Sequence, residues 1–382
     1  MPPFAALQSI ETPAVVVDYP RLVRNIAHAQ SIADDNRLRL RPHIKTHKCI
    51  QLARLQLDHG ACGVTAAKAS EALVFVEAGF PSVTVAYPVI DPDKAERLIE
   101  AAKATDCDLR FIADSREGVE ALSRAASAQA RTLGVYIKID VGLGRVGLKP
   151  HAEGLPALAR HIAGSPGLRF CGLLSHAGQS YGAASRQDVR DIAEDERRQL
   201  FTASERLTSS GLEVPELSVG STPTVLAAAS FEGLSEIRPG NYVFLDLTAI
   251  RLGVATLDEV ALSVLTTVVS VNDTYAIVDA GSKVLSSDLG PHGSTGLRGF
   301  GQAFRVDRDI DETAPGSAFS VERLSEEHGF VRHAGAGLKV GDRLRVVPNH
   351  SCPVVNLSDF LCVLNGAQPA QFWTIDAAGR VA

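Results

Sequence analysis

Two stretches far apart in the chain carry side chains whose types and spacing could do chemistry. In Arg41-Pro42-His43-Ile44-Lys45-Thr46-His47-Lys48, Lys45 has cations and imidazoles on both sides. Crowded cations favour the neutral amine, the form that attacks a carbonyl to give an imine. In Pro348-Asn349-His350-Ser351-Cys352-Pro353, an imidazole and a thiol lie two residues apart. On an extended segment that spacing puts both on one face. Two protein ligands leave positions open for water or substrate, and an N/S pair favours zinc among divalent ions. By residue type alone, a basic surface turn accounts better for the first stretch, and a buried cysteine beside a hydrogen-bonded histidine accounts better for the second. His292 and His328 are candidate additional ligands by type only.

Three further groups are suggestive. Gly220-Ser221-Thr222-Pro223-Thr224 follows a strand pattern and opens a helix, so hydroxyls and free N–H groups could meet a phosphate at the positive end of the dipole. Asn241 and Tyr242, after Arg238-Pro239-Gly240, could complete such a cradle, although Tyr242 could equally be a packing aromatic. Gly142-Leu143-Gly144-Arg145-Val146-Gly147 matches the dinucleotide fingerprint, but Lys149-Pro150 interrupts the turn where the helix must start. Arg145 instead reads as a cation available to a ring nitrogen or a carboxylate.

The elements needed to gather these residues are visible as a pattern. From Ala14 to Ala255, short β-branched runs alternate with Ala/Leu/Glu-rich segments, as in a parallel sheet with crossover helices. The strands are expected at Ala14-Asp18, Leu38-Ile44, Gly63-Ala67, Ser82-Tyr87, Leu109-Asp114, Leu133-Val141, Leu168-His176, Leu217-Gly220 and Glu236-Phe244. That number suits an α/β fold of the (β/α)8 TIM barrel type, whose active site lies at the C-terminal strand ends. His43, Lys45, Arg145, His176, Ser221 and Asn241 all fall there. From Thr256 to Ala382 strands follow one another without helices, which predicts a second, mostly antiparallel β domain. Within it, Ser286-Gly301 reads as a long functional loop.

Composition bounds the partners. With 382 residues, 45% hydrophobic, the chain can bury two cores. A formal net charge of -6 and no basic run argue against nucleic acid or an anionic membrane and favour a small-molecule substrate. The six cysteines lack the spacing of a disulfide framework, and no apolar run reaches the roughly 20 residues of a membrane span, so a cytoplasmic setting is expected.

These motifs, in this order, resemble the D-threonine aldolase and D-serine dehydratase family of pyridoxal-phosphate enzymes with the alanine racemase barrel. The likeness runs from ETPAVVVD through RPHIKTHK, KIDVGLGRVG, LLSHAGQSYG, SVGSTPT, IRPGNYVFLD and SSDLGPHG to PNHSCPVVNL. It implies a barrel over residues 14–255 and a β domain over 256–382, joined by residues 1–13, in a homodimer. Lys45 would carry the cofactor, with Arg145, His176, Tyr181, Gly220, Ser221, Thr222, Gly240, Asn241 and Tyr242 around it. His350 and Cys352 would hold a divalent metal, zinc or manganese, with magnesium and cobalt as alternatives, near the β-hydroxyl of a D-3-hydroxy amino acid. Retro-aldol cleavage to glycine and an aldehyde is then expected first, with His43 or His47 as a base. Dehydration to a 2-oxo acid and ammonia is the alternative, towards which HAGQSY and His-x-Cys lean. A metal-free amino-acid racemase and a non-catalytic cofactor-binding protein are further rivals.

Overall fold

The computed structural model describes residues 7–293, 296–306 and 317–382. The first six residues of the N-terminal segment and Ser294-Thr295 of the long loop lie outside them. The strands, in chain order, are β1 (Ala14–Asp18), β2 (Arg39–Leu40), β3 (Val64–Ala66), β4 (Ser82–Pro88), β5 (Asp108–Ala113), β6 (Leu133–Lys138), β7 (Leu168–Leu174), β8 (Glu216–Val219), β9 (Glu236–Ile237), β10 (Leu262–Val271), β11 (Tyr275–Val278), β12 (Gly301–Arg305), β13 (Ala318–Leu324), β14 (Gly329–Arg332), β15 (Arg343–Pro348), β16 (Phe360–Leu364) and β17 (Gln371–Thr374). They fall in two compact units, one of residues 28–180, 187–240 and 379–382, the other of residues up to Ala27, 181–186 and 241–378.

The first unit is the expected barrel. Its eight strands are parallel, in the order β2-β9-β8-β7-β6-β5-β4-β3. The two edges meet through a His43↔Thr65 bridge, with Cys62 N donating to Leu40 O at 2.9 Å and Thr65 N to Pro42 O at 2.7 Å. Strands covered on both faces need continuous apolar runs, and Leu133–Lys138 is buried throughout. The helices are set by their starts: Asp91 caps Pro92–Thr105, and the Ser115 side chain accepts from Gly118 N to cap Arg116–Ala128.

The barrel interior is not wholly apolar. Arg41 Nε meets Glu236 Oε2 at 2.8 Å, with the two side chains 2% and 0% exposed. Ser218 Oγ donates to Glu236 Oε1 at 2.6 Å, and Arg238 donates to both Ser218 Oγ and Ser175 O. Arg41 also donates to Ser82 Oγ at 2.7 Å. Strands β2, β4, β7, β8 and β9 are thereby tied from within.

In the second unit, β10-β15-β12-β13-β14-β11 run antiparallel and close again on β10. A register shift between Val268 and Ser270 lets this one long strand serve both ends of the ring. β1 pairs antiparallel with β10 and parallel with β16, so Ala14–Asp18 belongs here and not, as expected, to the barrel. Its AVVVD pattern states burial but not a partner. Two strands were not anticipated, Gly301–Arg305 and Gly329–Arg332, because glycine-rich flanks mask them. Ser351–Asn356 is a helix rather than an extended segment, with Pro353 in its first turn, where a missing N–H costs nothing.

One backbone position limits the barrel sharply. In β7 the register against β6 slips between Phe170 and Gly172, and Gly172 takes φ +127°. A Cβ there would stand 2.0 Å from Glu216 O. Gly172→Ala is expected to lose at least about 2–3 kcal/mol in urea unfolding. Gly154→Ala, where nothing lies within 4 Å, should stay within about 0.5 kcal/mol. Equal stability of the two variants would contradict this account.

Candidate active site

Lys45 sits in a single turn, Ile44–Thr46, placed at the end of β2 by two bonds to the neighbouring strand end: Arg41 N to Ile237 O at 3.0 Å and His43 N to Pro239 O at 2.9 Å. Ile44 and Thr46 are buried, which leaves Lys45 and His43 on the partly exposed side. His43 Nδ1 accepts from Lys45 N at 3.4 Å. Gly240 lies against the same turn, and a Cβ on it would be 3.0 Å from both His43 O and Thr46 Oγ1. The turn is no loose basic surface. Lys48 is buried, pairs with the buried Glu71 at 3.5 Å and donates to Arg380 O at 3.3 Å. His47 is fully buried, its Nδ1 accepts from Cys49 N at 3.2 Å, and it bonds to Gln56. Burial lowers its pKa to about 3. Its ring serves the fold, and His43 is the imidazole on the Lys45 side.

His176 Nδ1 lies 2.7 Å from Gly220 O. A carbonyl only accepts, so Nδ1 carries the proton and Nε2 the lone pair. Burial, then the charges of Lys45 and its cationic neighbours, hold His43 and His176 well below the ordinary imidazole range. Lys138, at the end of β6, is likewise held well below the lysine range by burial and by Arg238, against the opposing charge of Glu196. The cationic neighbours that produce these shifts, Arg238 and Arg145 among them, suit an anionic group such as a phosphorylated cofactor. Thr222 Oγ1 accepts from Gly240 N at 3.2 Å, and Ser221 Oγ is 3.0 Å from Ser180 Oγ and accepts from Thr224 N to cap Thr222–Ala227. Gly220, Ser221, Thr222 and Gly240 therefore converge with Lys45, His43 and His176 within the barrel unit. Arg145 is exposed in the turn after β6, whose Gly142 and Gly144 N–H groups bond to Asp140 at 3.1 and 3.0 Å. Between the end of β6 and Leu155 no helix begins, in keeping with rejection of the dinucleotide fingerprint.

Asn241, Tyr242 and Tyr181 belong to the other unit. The Asn241 amide is engaged at both atoms: Nδ2 donates to Asp246 Oδ2 at 2.7 Å, and Ser351 Oγ donates to Oδ1. Asp246, 0% exposed, also accepts from Ser351 N at 3.0 Å and caps Leu247–Arg251, so it fixes the backbone beside His350. Tyr242 is buried, and the Tyr181 ring lies 5.5 Å from the His292 ring.

His350 and Cys352 are hydrogen-bonded to each other, although at the start of a helix rather than along a strand. Asp288 Oδ2 lies 2.8 Å from His350 Nδ1. Burial opposes charge on His350, but the Cys352 thiolate, the Asp288 bond and Asp246 outweigh it and raise the imidazole to about 10. A divalent cation could take the place of the proton between imidazole and sulfur, so this donor pair fits one. His328 bonds to Ser325 and His292 stacks on Tyr181. Among the described residues no group of three or more His, Cys, Asp or Glu surrounds a metal position.

Sequence reasoning missed Lys138, Glu196, Asp246 and Asp288. Lys138 and Asp288 lie in quoted motifs, where a charge ending an apolar strand and a carboxylate in a Gly/His loop were the available signals. Glu196 gives none, being one acid among many on a long amphipathic helix.

The alanine racemase N-terminal domain model matches residues 17–248, and a serine dehydratase domain model matches residues 261–364. The chain is 35% identical over 356 residues to D-threo-3-hydroxyaspartate dehydratase of Delftia sp. (strain HT23), covering 91% of this chain and 92% of that one. It is 30% identical over 378 residues to D-threonine aldolase of Arthrobacter sp, covering 98% and 94%. The solved Delftia dehydratase superposes with TM-score 0.89 at 34% identity, covering 97% and 98%, and D-threonine aldolase from Filomicrobium marinum with 0.86 at 29%, covering 98% and 97%. Structures of the Delftia enzyme include a histidine-to-alanine variant and a metal-free cysteine-to-alanine variant, the two positions spaced as His350 and Cys352 are.

His47 also makes the site acid-sensitive. The unfolded chain binds a proton near pH 6.5 that folded His47 refuses until about 3, so its contribution to stability is complete above about 6.5 and falls as pH drops. His43 and His176 act in the same sense. The fall in Tm between about pH 7.5 and about 5.5 should be smaller in His47→Gln than in the wild type. An unchanged fall would refute the assignment.

Proposed function

The chain belongs to the D-threonine aldolase and D-serine dehydratase family of alanine racemase-type, pyridoxal-phosphate-dependent lyases, and from that premise we propose that it dehydrates D-3-hydroxy amino acids to a 2-oxo acid and ammonia. The observation that carries elimination ahead of cleavage is the state of the two imidazoles near Lys45. Retro-aldol cleavage needs a base for the substrate hydroxyl, yet His43 and His47 both spend Nδ1 accepting a backbone N–H, which places their proton on Nε2. Elimination needs no such base. It needs one at the α proton and help for the departing hydroxide.

In this reading Lys45 would hold the cofactor, and its amine, once free, would take the α proton of the substrate. Pyridoxal phosphate, when bound, supplies the electron sink for the α carbanion. Ser221 and Thr222 would hold its phosphate, Arg145 would serve the ring nitrogen, and His176, fixed by Gly220 O, would serve the ring itself. The Asn241 amide is already bonded at both atoms and so is not offered to a phosphate. A divalent cation on His350 and Cys352, zinc or manganese, would act as the Lewis acid on the 3-hydroxyl. His43 donates from Nε2. The spacing of the substituted histidine and cysteine in the Delftia dehydratase supports the same outcome.

Cleavage to glycine and an aldehyde is the second reading, supported by 30% identity to D-threonine aldolase across 98% of the chain. The protein acts in the cytoplasm as a homodimer in either case. Among the described residues no helix is long and apolar enough to cross a membrane.

Purified protein with pyridoxal phosphate and Mn2+ or Zn2+ should convert D-serine, D-threonine or D-threo-3-hydroxyaspartate to 2-oxo acid and ammonia. Glycine without oxo acid would reverse the order of the two readings. Lys45→Ala should lose the near-visible absorbance of the lysine-bound cofactor, and a persisting band would remove Lys45 from its role.

A further inference from the structure

The assignment of a cation to His350 and Cys352 leaves open what prepares the imidazole to bind it. A neutral imidazole ligates through whichever nitrogen lacks the proton, and a free ring exchanges between its two tautomers. In this protein Asp288 Oδ2 stands 2.8 Å from Nδ1. The carboxylate is itself held: Gly290 N donates to Oδ1 at 2.9 Å, and Asp288 N donates to Ser286 Oγ at 3.1 Å. The residue before His350 grips the same loop, Asn349 Nδ2 donating to Leu289 O at 3.2 Å and to Gly299 O at 2.9 Å. Both the imidazole and its neighbour are thus tied to one short stretch of backbone that carries the acid.

We propose that Asp288 is a positioning residue for the cation: it holds the His350 proton on Nδ1, turns the Nε2 lone pair over to the metal and keeps the ring in register with the Cys352 thiol. This inference rests on the reading of His350 and Cys352 as metal ligands. Asp288 is not a third ligand, since the oxygen facing His350 is engaged by the ring and the other by Gly290 N. Carboxylates placed behind ligating histidines typically govern metal affinity by about 10–100-fold.

The test is titration calorimetry of Mn2+ and Zn2+ into metal-stripped, cofactor-loaded protein, with near-visible absorbance and thermal melting as controls for the cofactor and the fold. Asp288→Ala should bind the cation about 10–100-fold more weakly, with absorbance unchanged. Asp288→Asn keeps an oxygen that can accept from Nδ1 and should stay within a few-fold of the wild type. Wild-type affinity in Asp288→Ala would overturn the proposal. So would a loss in Asp288→Asn equal to that in Asp288→Ala, because that would make the charge or direct ligation the active term. His350→Ala separates the proposal from its premise: if it binds the cation as the wild type does, or if the wild type binds none, the metal assignment itself fails.

Discussion

The pairing of Arg41 with Glu236 inside the barrel is the constraint on which the cofactor half of the molecule depends. Each side chain is all but inaccessible, and each stands at a strand that leads to the candidate site: Arg41 directly follows β2 and precedes His43 and Lys45, and Glu236 opens β9, which leads to Gly240. Two buried charges tolerate little displacement, because moving either leaves the other uncompensated at a cost of about 3–5 kcal/mol. Through Ser218 the pair extends to Arg238, and through Arg238 to β7, where His176 follows. The lysine turn, the phosphate cradle and the imidazole are placed by one continuous ionic column rather than by their own local sequence. The same column supplies, through Arg238, part of the positive field that lowers the pKa of His43 and Lys138.

An analogous anchor holds the His350–Cys352 pair. Asp246 receives bonds from the backbone of Ser351, the Asn241 amide and the start of Leu247–Arg251. A buried carboxylate with this many donors has little freedom. It fixes the residue between His350 and Cys352, while Asp288 fixes the His350 ring, so the two donors are set from opposite sides of the peptide.

Much of this was legible in the residues, for definable reasons. All eight barrel strands announced themselves because a strand buried on both faces must be an apolar run. The rule that parallel strands open their sites at one end also predicts that Lys45, His176 and Ser221 lie at strand ends of one unit, where the structure has them. What failed was information that sequence carries only globally. Ala14–Asp18 looked like any buried strand, and its partners, β10 and β16, lie hundreds of positions away. The His-x-Cys spacing was read at the strand period, but the chain turns helical there, and the two side chains meet by a different geometry. His47 shared the local signature of His43 and Lys45, and only Gln56 and Cys49 reveal that its ring faces the fold.

The long reach of β1 bears on how a ribosome delivers this protein. From β3 to β9 the barrel strands pair with neighbours close in the chain and can associate as they emerge, and only β2, which pairs with β9, waits for a distant partner within the barrel. Val16, among the first structured residues, pairs with Ser263 and Cys362. At roughly 5–20 residues per second the first strand waits on the order of tens of seconds for its partners. Over that interval an apolar edge is exposed with nothing of its own to bind. The interval during which this strand must be kept from other chains is set by the synthesis of everything between β1 and β16.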